Sequence, residues 1–156
     1  MEKMQQSKFF AFEEDFAESG IRCIPMIVRF KLDASGIKLK LSEWSRMSRE
    51  ERETLVELSV DSKEDIGHYK KYLKELILQK TGQEATELAE PATTAWSSTD
   101  TIPASLTEKA SHLNLVIPLE KWRSLTDLQR FSLLKLSQSS HEHKNLPRAI
   151  KEFRLT

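Results

Sequence analysis

A nineteen-residue segment, Leu41 to Ser59, recurs 78 positions later as Leu119 to Ser137, and no gap is needed to align the two. The match extends backwards: Ile24-Pro25 falls on Ile102-Pro103 and Lys31 on Lys109. From Ile24 to Ser59 nine of 36 positions are identical: Ile24, Pro25, Lys31, Leu41, Trp44, Arg52, Leu55, Leu58 and Ser59. Other apolar positions keep their character, as with Ile37 and Leu115, Leu39 and Ile117, and Met47 and Leu125. Past Ser59 the copies drift by one residue, so that Leu73 to Leu76 meets Ile150 to Phe153. A repeat of this kind constrains the fold before any other feature does. It predicts a mainly α protein made of two diverged tandem helical half-domains related by pseudo-twofold symmetry.

At 156 residues the chain suits one domain with a substantial core. Lys+Arg and Asp+Glu are both 24, so the net charge is zero. That balance argues against a dedicated nucleic-acid binder, whose phosphate contacts leave a basic excess. No apolar run approaches the roughly 20 residues of a membrane span. Met1 to Lys8 is polar and lacks the apolar core of a signal peptide. The lone cysteine, Cys23, cannot close an internal disulfide, which points to a reducing, cytoplasmic setting.

Four of the seven phenylalanines lie in Phe9 to Phe16. Burying one such side chain contributes roughly 1.5–3 kcal/mol, so this N-terminal arm is expected to dock on the chain's own core or on a partner. The β-branched run from Ile21 to Asp33 is ambiguous alone. Its counterpart, Pro103 to Leu113, is rich in helix formers, so both are read as helices that open at a proline. Gly36 and Asn114 then fall just past their ends, where a left-handed cap residue is expected. Ile37 to Leu41 alternates apolar and basic residues, the pattern of a short strand, and Leu115 to Leu119 is its mate. The two could form a short two-stranded ribbon, with Pro118 confining the pairing to an edge.

Ser48 with Glu51, and Thr126 with Gln129, each match a capping box, in which a hydroxyl accepts an orphan N–H and the acid or amide reaches back. Met47 and Leu125 occupy the staple position before each box. The boxes predict helix starts at about 49 and 127. Ser62 and Gly82 bracket an amphipathic helix with Ile66, Tyr69, Leu73, Leu76, Ile77 and Lys80 on one stripe and Lys70, Lys71, Lys74 and Glu75 on the solvated side. Pro147 opens a last short helix through Phe153. The expected organisation is one domain: the Phe-rich arm (1–20), a first repeat (21–82), a linker (83–101) that Trp96 pins to the body, and a second repeat (102–156).

The copies diverge where Glu50 and Glu53 are replaced by Leu128 and Phe131. An apolar pair on an otherwise solvated face needs cover, which the arm or a partner would supply. No catalytic signature emerges. There is no Gly-rich phosphate loop and no cysteine pair with zinc spacing. His141-Glu142-His143 reads as a polar turn, because i, i+2 ligands on a helix point apart. The segment around Asp33 to Gly36 lacks the carboxylates of a calcium loop. Cofactor and metal sites are therefore expected to be absent. Cys23 beside Arg22 is either a buried structural thiol or an activated one.

The strings Phe9 to Phe16, Arg22 to Asp33, the first tryptophan segment, Leu119 to Ser137 and Lys151-Glu152-Phe153 together resemble the nitrate reductase-associated protein family over nearly the whole chain. Such proteins are similar to accessory factors of cyanobacterial and related bacterial nitrate assimilation. The resemblance implies a non-enzymatic assembly factor for a molybdenum-containing nitrate reductase. Its partner would be the reductase or the machinery that delivers its molybdenum cofactor. It brings no catalytic motif to this chain. Aromatic and arginine anchors dominate protein interfaces, so the candidate partner-binding residues are Phe9, Phe10, Phe12, Arg22, Cys23, Met26, Arg29, Leu128 and Phe131. Two rivals differ in class: a small carrier of sulfur or cofactor acting through Cys23, and a tandem helical DNA binder, which the neutral charge disfavours.

Overall fold

Local capping chemistry sets most helix boundaries in the computed structural model, which describes residues 9–13, 23–90, 92, 94–138 and 145–155. The chain divides into two compact units, Met1–Ala92 and Thr93–Thr156. Its described part is mainly helical, with a single two-stranded antiparallel ribbon.

In the first unit a 3-10 turn, Ala11–Glu13, precedes α1 (Met26–Ser35), β1 (Ile37–Lys38), α2 (Leu41–Ser45), α3 (Arg49–Glu57), α4 (Lys63–Thr81) and β2 (Thr86–Glu87). Pro25 is the N-cap of α1, and Gly36 ends it with φ 72°. Ser48 opens α3 with both halves of its capping box formed, Ser48 N–H to Glu51 at 2.8 Å and Glu51 N–H to Ser48 at 3.1 Å. Ser62 accepts the Asp65 N–H and opens α4, which Gly82 ends at φ 74°. The amphipathic stripe of α4 points inward: Tyr69, Leu73, Leu76 and Ile77 are buried and pack with Val28, Leu32, Trp44, Leu55 and Val56. Tyr69 keeps its hydroxyl satisfied inside this core by donating to the Leu55 carbonyl at 2.9 Å. Burial, and next the charge of Tyr72, push its phenol well above the usual tyrosine range.

In the second unit a 3-10 turn, Ala95–Ser97, leads to α5 (Ala104–His112), α6 (Leu119–Ser124), α7 (Asp127–Gln138) and α8 (Asn145–Glu152). Helices α5, α6 and α7 begin 78 positions after α1, α2 and α3. Asn114 follows α5 at φ 59°, the aligned partner of Gly36. The second capping box also closes, Thr126 N–H to Gln129 at 2.9 Å and Gln129 N–H to Thr126 at 3.1 Å. Helix α8 starts at Asn145, two residues ahead of the Pro147 expected to open it. Pro147 still lies in the first turn, where the missing N–H forfeits no helical bond.

The tryptophans of the repeated segment, Trp44 and Trp122, are both fully buried. Each is followed eight residues later by an arginine that ties down the corner between them. Arg52 donates to the carbonyls of Trp44 and Ser45, both at 3.2 Å, and lies over the Trp44 ring. Arg130 donates to the carbonyl of Leu125, to Asp127, and at 2.9 Å to the carbonyl of Trp96. A guanidinium can hold several carbonyls at once because its donors form a rigid fork. Trp122 fixes the connecting segment too, donating from Nε1 to the Ser98 carbonyl at 2.9 Å.

The ribbon forms with a different partner from the one the repeat suggested. Ile37 pairs with Glu87 and Lys38 with Thr86, whereas Leu115 to Pro118 forms no ladder among the described residues. Lys70 and Lys74 flank this ribbon and reach across to the Glu87 carboxylate at 2.8 and 3.6 Å. They hold its carboxyl below the usual range, Lys70 first by hydrogen bond and charge.

Candidate interaction surface

The N-terminal arm and the start of α1 form one site, joined by a residue the sequence reading passed over. Pro25 carries no side-chain acceptor, so α1 has no cap of its own. Glu13 supplies it. Its Oε2 accepts the Met26 N–H at 3.1 Å, and its Oε1 accepts the Phe10 N–H at 3.2 Å. The carboxylate is 3% exposed, so the helix terminus and the arm are held by a buried anion at the positive end of the α1 dipole. The arm is thereby fastened to its own unit, in agreement with docking in cis.

Around this anchor the candidate residues divide by accessibility. Phe12 and Met26 are buried and belong to the core. The Phe10 ring stacks on Phe12 with centroids 5.4 Å apart and planes 12° apart, and stays half-buried. Phe9 packs partly buried against the core of the unit. Arg29 on α1 donates to the Ile24 carbonyl at 3.0 Å and remains half-buried. Cys23 is a free, half-buried thiol. Arg22 lies outside the described residues, as does His141-Glu142-His143. Phe9, Phe10, Cys23 and Arg29 thus keep partial exposure, while Phe12, Glu13 and Met26 are buried.

Leu128 and Phe131 belong to the other unit. Phe131 is 1% exposed and is a core residue, not a free anchor. Its cover comes from Trp96, edge-on at 6.4 Å, and from the Lys135 ammonium 5.5 Å from the ring centroid, neither of which is the arm or the partner expected to supply it. Leu128 is half-buried. The 3-10 turn around Trp96 therefore pins the connecting segment where the sequence placed it.

Two buried cations or anions elsewhere serve the fold. Lys31 is buried and donates to the carbonyls of Val56 and Leu58 at the C-terminal end of α3, where cationic groups are favourable. Glu43, also buried, accepts the Lys40 N–H at 2.8 Å at the start of α2. A shallow polar cleft lies beside it, lined by Lys40, Ser42, Glu43, Arg46, Thr81 and Gln83. Among the described residues no three His, Cys, Asp or Glu side chains converge as a metal site, and no helix is long and apolar enough to cross a membrane.

The family model described as conserved nitrate reductase-associated protein matches residues 9–153 of this chain. No curated protein and no solved structure matches it.

Proposed function

The chain belongs to the conserved nitrate reductase-associated protein family, and from that premise we propose that it is a non-enzymatic accessory factor that binds nitrate reductase or its molybdenum-cofactor delivery machinery. The family name indicates association with nitrate reductase. The observation that supports a binding role is the arm itself. Glu13 locks a phenylalanine-rich turn against α1 while leaving Phe10 half-buried beside Phe9, Cys23 and Arg29. Partly exposed aromatics and an arginine on a preorganised base are what an interface anchor needs, because little ordering entropy remains to be lost on binding. The partner is a soluble cytoplasmic assembly, with neither nucleic acid nor membrane involved.

The test is affinity capture of tagged protein from nitrate-grown native cells, with bound proteins identified by mass spectrometry. Wild-type protein should retain the reductase or its cofactor-delivery proteins. Phe10→Ala and Arg29→Glu, which leave Phe12, Glu13 and Met26 in place, should lose them. Recovery of the chain alone from cells that make the reductase would refute the proposal. A second reading rests on the partly accessible thiol of Cys23 and makes the protein a sulfur or cofactor carrier. Cys23→Ser tests the carrier reading, which requires loss of function with both folding and capture of the partner intact.

A further inference from the structure

The polar cleft of the first unit, about 170 Å³, lies where the start of α2 meets the end of α4, and Glu43 is its unusual member. This acid is only 7% exposed. Its Oε1 accepts the Lys40 N–H at 2.8 Å, and among the described residues its Oε2 has no hydrogen-bond partner. A carboxylate oxygen only accepts, so an open one in a buried setting calls for a donor. Two cations line the same cleft. The Lys40 ammonium makes no ion pair among the described residues, and Arg46 spends one donor, Nη1, on the Lys80 carbonyl at a long 3.5 Å. Lys80 itself is neutralised by Glu51 at 3.0 Å. The second copy shows what the fold requires of these positions. It forms the matching helix, α6, with Pro118, Glu120, Lys121 and Ser124 in place of Lys40, Ser42, Glu43 and Arg46. Pro118 has no N–H, so no cap is needed there. Capping thus accounts for one oxygen of Glu43. Packing of the repeat accounts for neither the other oxygen nor the two cations.

We propose that this cleft binds free inorganic phosphate in a protonated form. Lys40 and Arg46 supply charge-assisted hydrogen bonds to the anionic oxygens. The open Oε2 of Glu43 accepts the O–H that phosphate keeps at neutral pH. The same carboxylate sets the selectivity. Sulfate and nitrate carry no O–H, so either would bring a lone pair against a negative oxygen. A site built to hydrogen-bond a hydroxyl rejects the analogue that lacks it, because its own polar group is then left unpaired. A phosphate monoester loses its last O–H above about pH 6, which leaves free phosphate as the match at neutral pH. The site shares no residue with the N-terminal arm, and its occupancy does not depend on the accessory role proposed above.

Titrating the isotope-labelled full chain with inorganic phosphate at neutral pH and constant ionic strength should shift the amide resonances of Ser42, Glu43 and Gln83, saturating in the millimolar range. Sulfate, nitrate and, at mildly alkaline pH, methyl phosphate should each bind about fivefold more weakly or worse. Lys40→Ala and Arg46→Ala alter exposed side chains, and each should weaken phosphate binding by about fivefold or more with the helical circular dichroism unchanged. Glu43→Gln is the deciding variant. Its amide oxygen still caps the Lys40 N–H, while its NH₂ turns the open acceptor into a donor, so sulfate should now bind at least as tightly as phosphate. Absence of saturable shifts at the cleft overturns the proposal. So does wild-type protein that binds sulfate, nitrate or methyl phosphate as tightly as phosphate. Phosphate binding that survives both alanine variants, or a preference that Glu43→Gln leaves unchanged, overturns it as well.

Discussion

Replacing Glu13 by alanine removes the acceptor for the Phe10 and Met26 N–H groups. The two losses differ in weight. Met26 is 3% exposed, so its N–H would be left buried without a partner. An orphaned buried donor costs roughly 1–3 kcal/mol, and loss of a helix cap costs about 0.5–2 kcal/mol by itself. These describe the same N–H and are not summed. Phe10 is half-buried, and water can take over its N–H, so it adds little. Removing the carboxylate also relieves its own desolvation, which works against a larger effect. The net expectation is about 2 kcal/mol, or roughly 4–8 °C in Tm for a chain of this size. Glu13→Gln keeps one oxygen to accept from Met26 but loses the charge at the helix terminus, and should fall about midway. Urea denaturation gives the stability, and amide hydrogen exchange at Met26 reports the cap directly. If Glu13→Ala changes stability by less than about 0.5 kcal/mol and leaves Met26 protected, then Glu13 does not hold the arm in cis.

Phe131→Glu places a charge in the core under Trp96 and should cost more than about 3 kcal/mol by urea unfolding, whereas Leu128→Glu, at a half-buried site, should cost about 1 kcal/mol. Equal effects would contradict the burial difference. Glu51 offers a pH test. Desolvation raises its carboxyl, but the Ser48 N–H and the Lys80 ammonium at 3.0 Å lower it more. A depressed carboxyl contributes stability above the ordinary carboxylate range and loses it as the pH falls through that range. Glu51→Gln preserves the capping box, as Gln129 does naturally, so the gap between wild type and variant should be under about 1 kcal/mol at pH 7 and vanish in acid. A gap that persists at low pH would refute this. Gly36→Ala forces a side chain into the left-handed region at φ 72° and should destabilise by about 1 kcal/mol, read from the same urea midpoints.

What could be read from the sequence was what is decided within a few residues. A capping box needs only four positions, and both boxes, the Ser62 cap and the Gly36, Asn114 and Gly82 terminators stand where their chemistry placed them. The Glu13 to Met26 bond spans thirteen residues across a segment with no periodic signal, and Glu13 sits in a run with Glu14 and Asp15 from which nothing singles it out. The ribbon partner was missed because Thr86-Glu87 lies in a polar stretch of low β-propensity. Its contacts with Lys70 and Lys74 come from residues that read as a plain solvated face. The cover over Phe131 was legible in both halves, the exposed pair and the pinned Trp96, but not the fact that one answers the other.

The identities between the copies carry more than their number. Trp44 and Trp122 are fully buried, as are Leu55 and Leu133, and Arg52 and Arg130 each clamp the corner behind them. Pro25 and Pro103 both precede a helix. At those positions the identity follows from packing or geometry common to both units. Lys31 and Lys109 show that identity alone is not a role: the first is buried on the end of α3, the second is exposed. Leu41 and Leu119 differ from both cases, since each is exposed, at 59% and 36%. Burial gives no reason for a leucine at the start of α2 or α6.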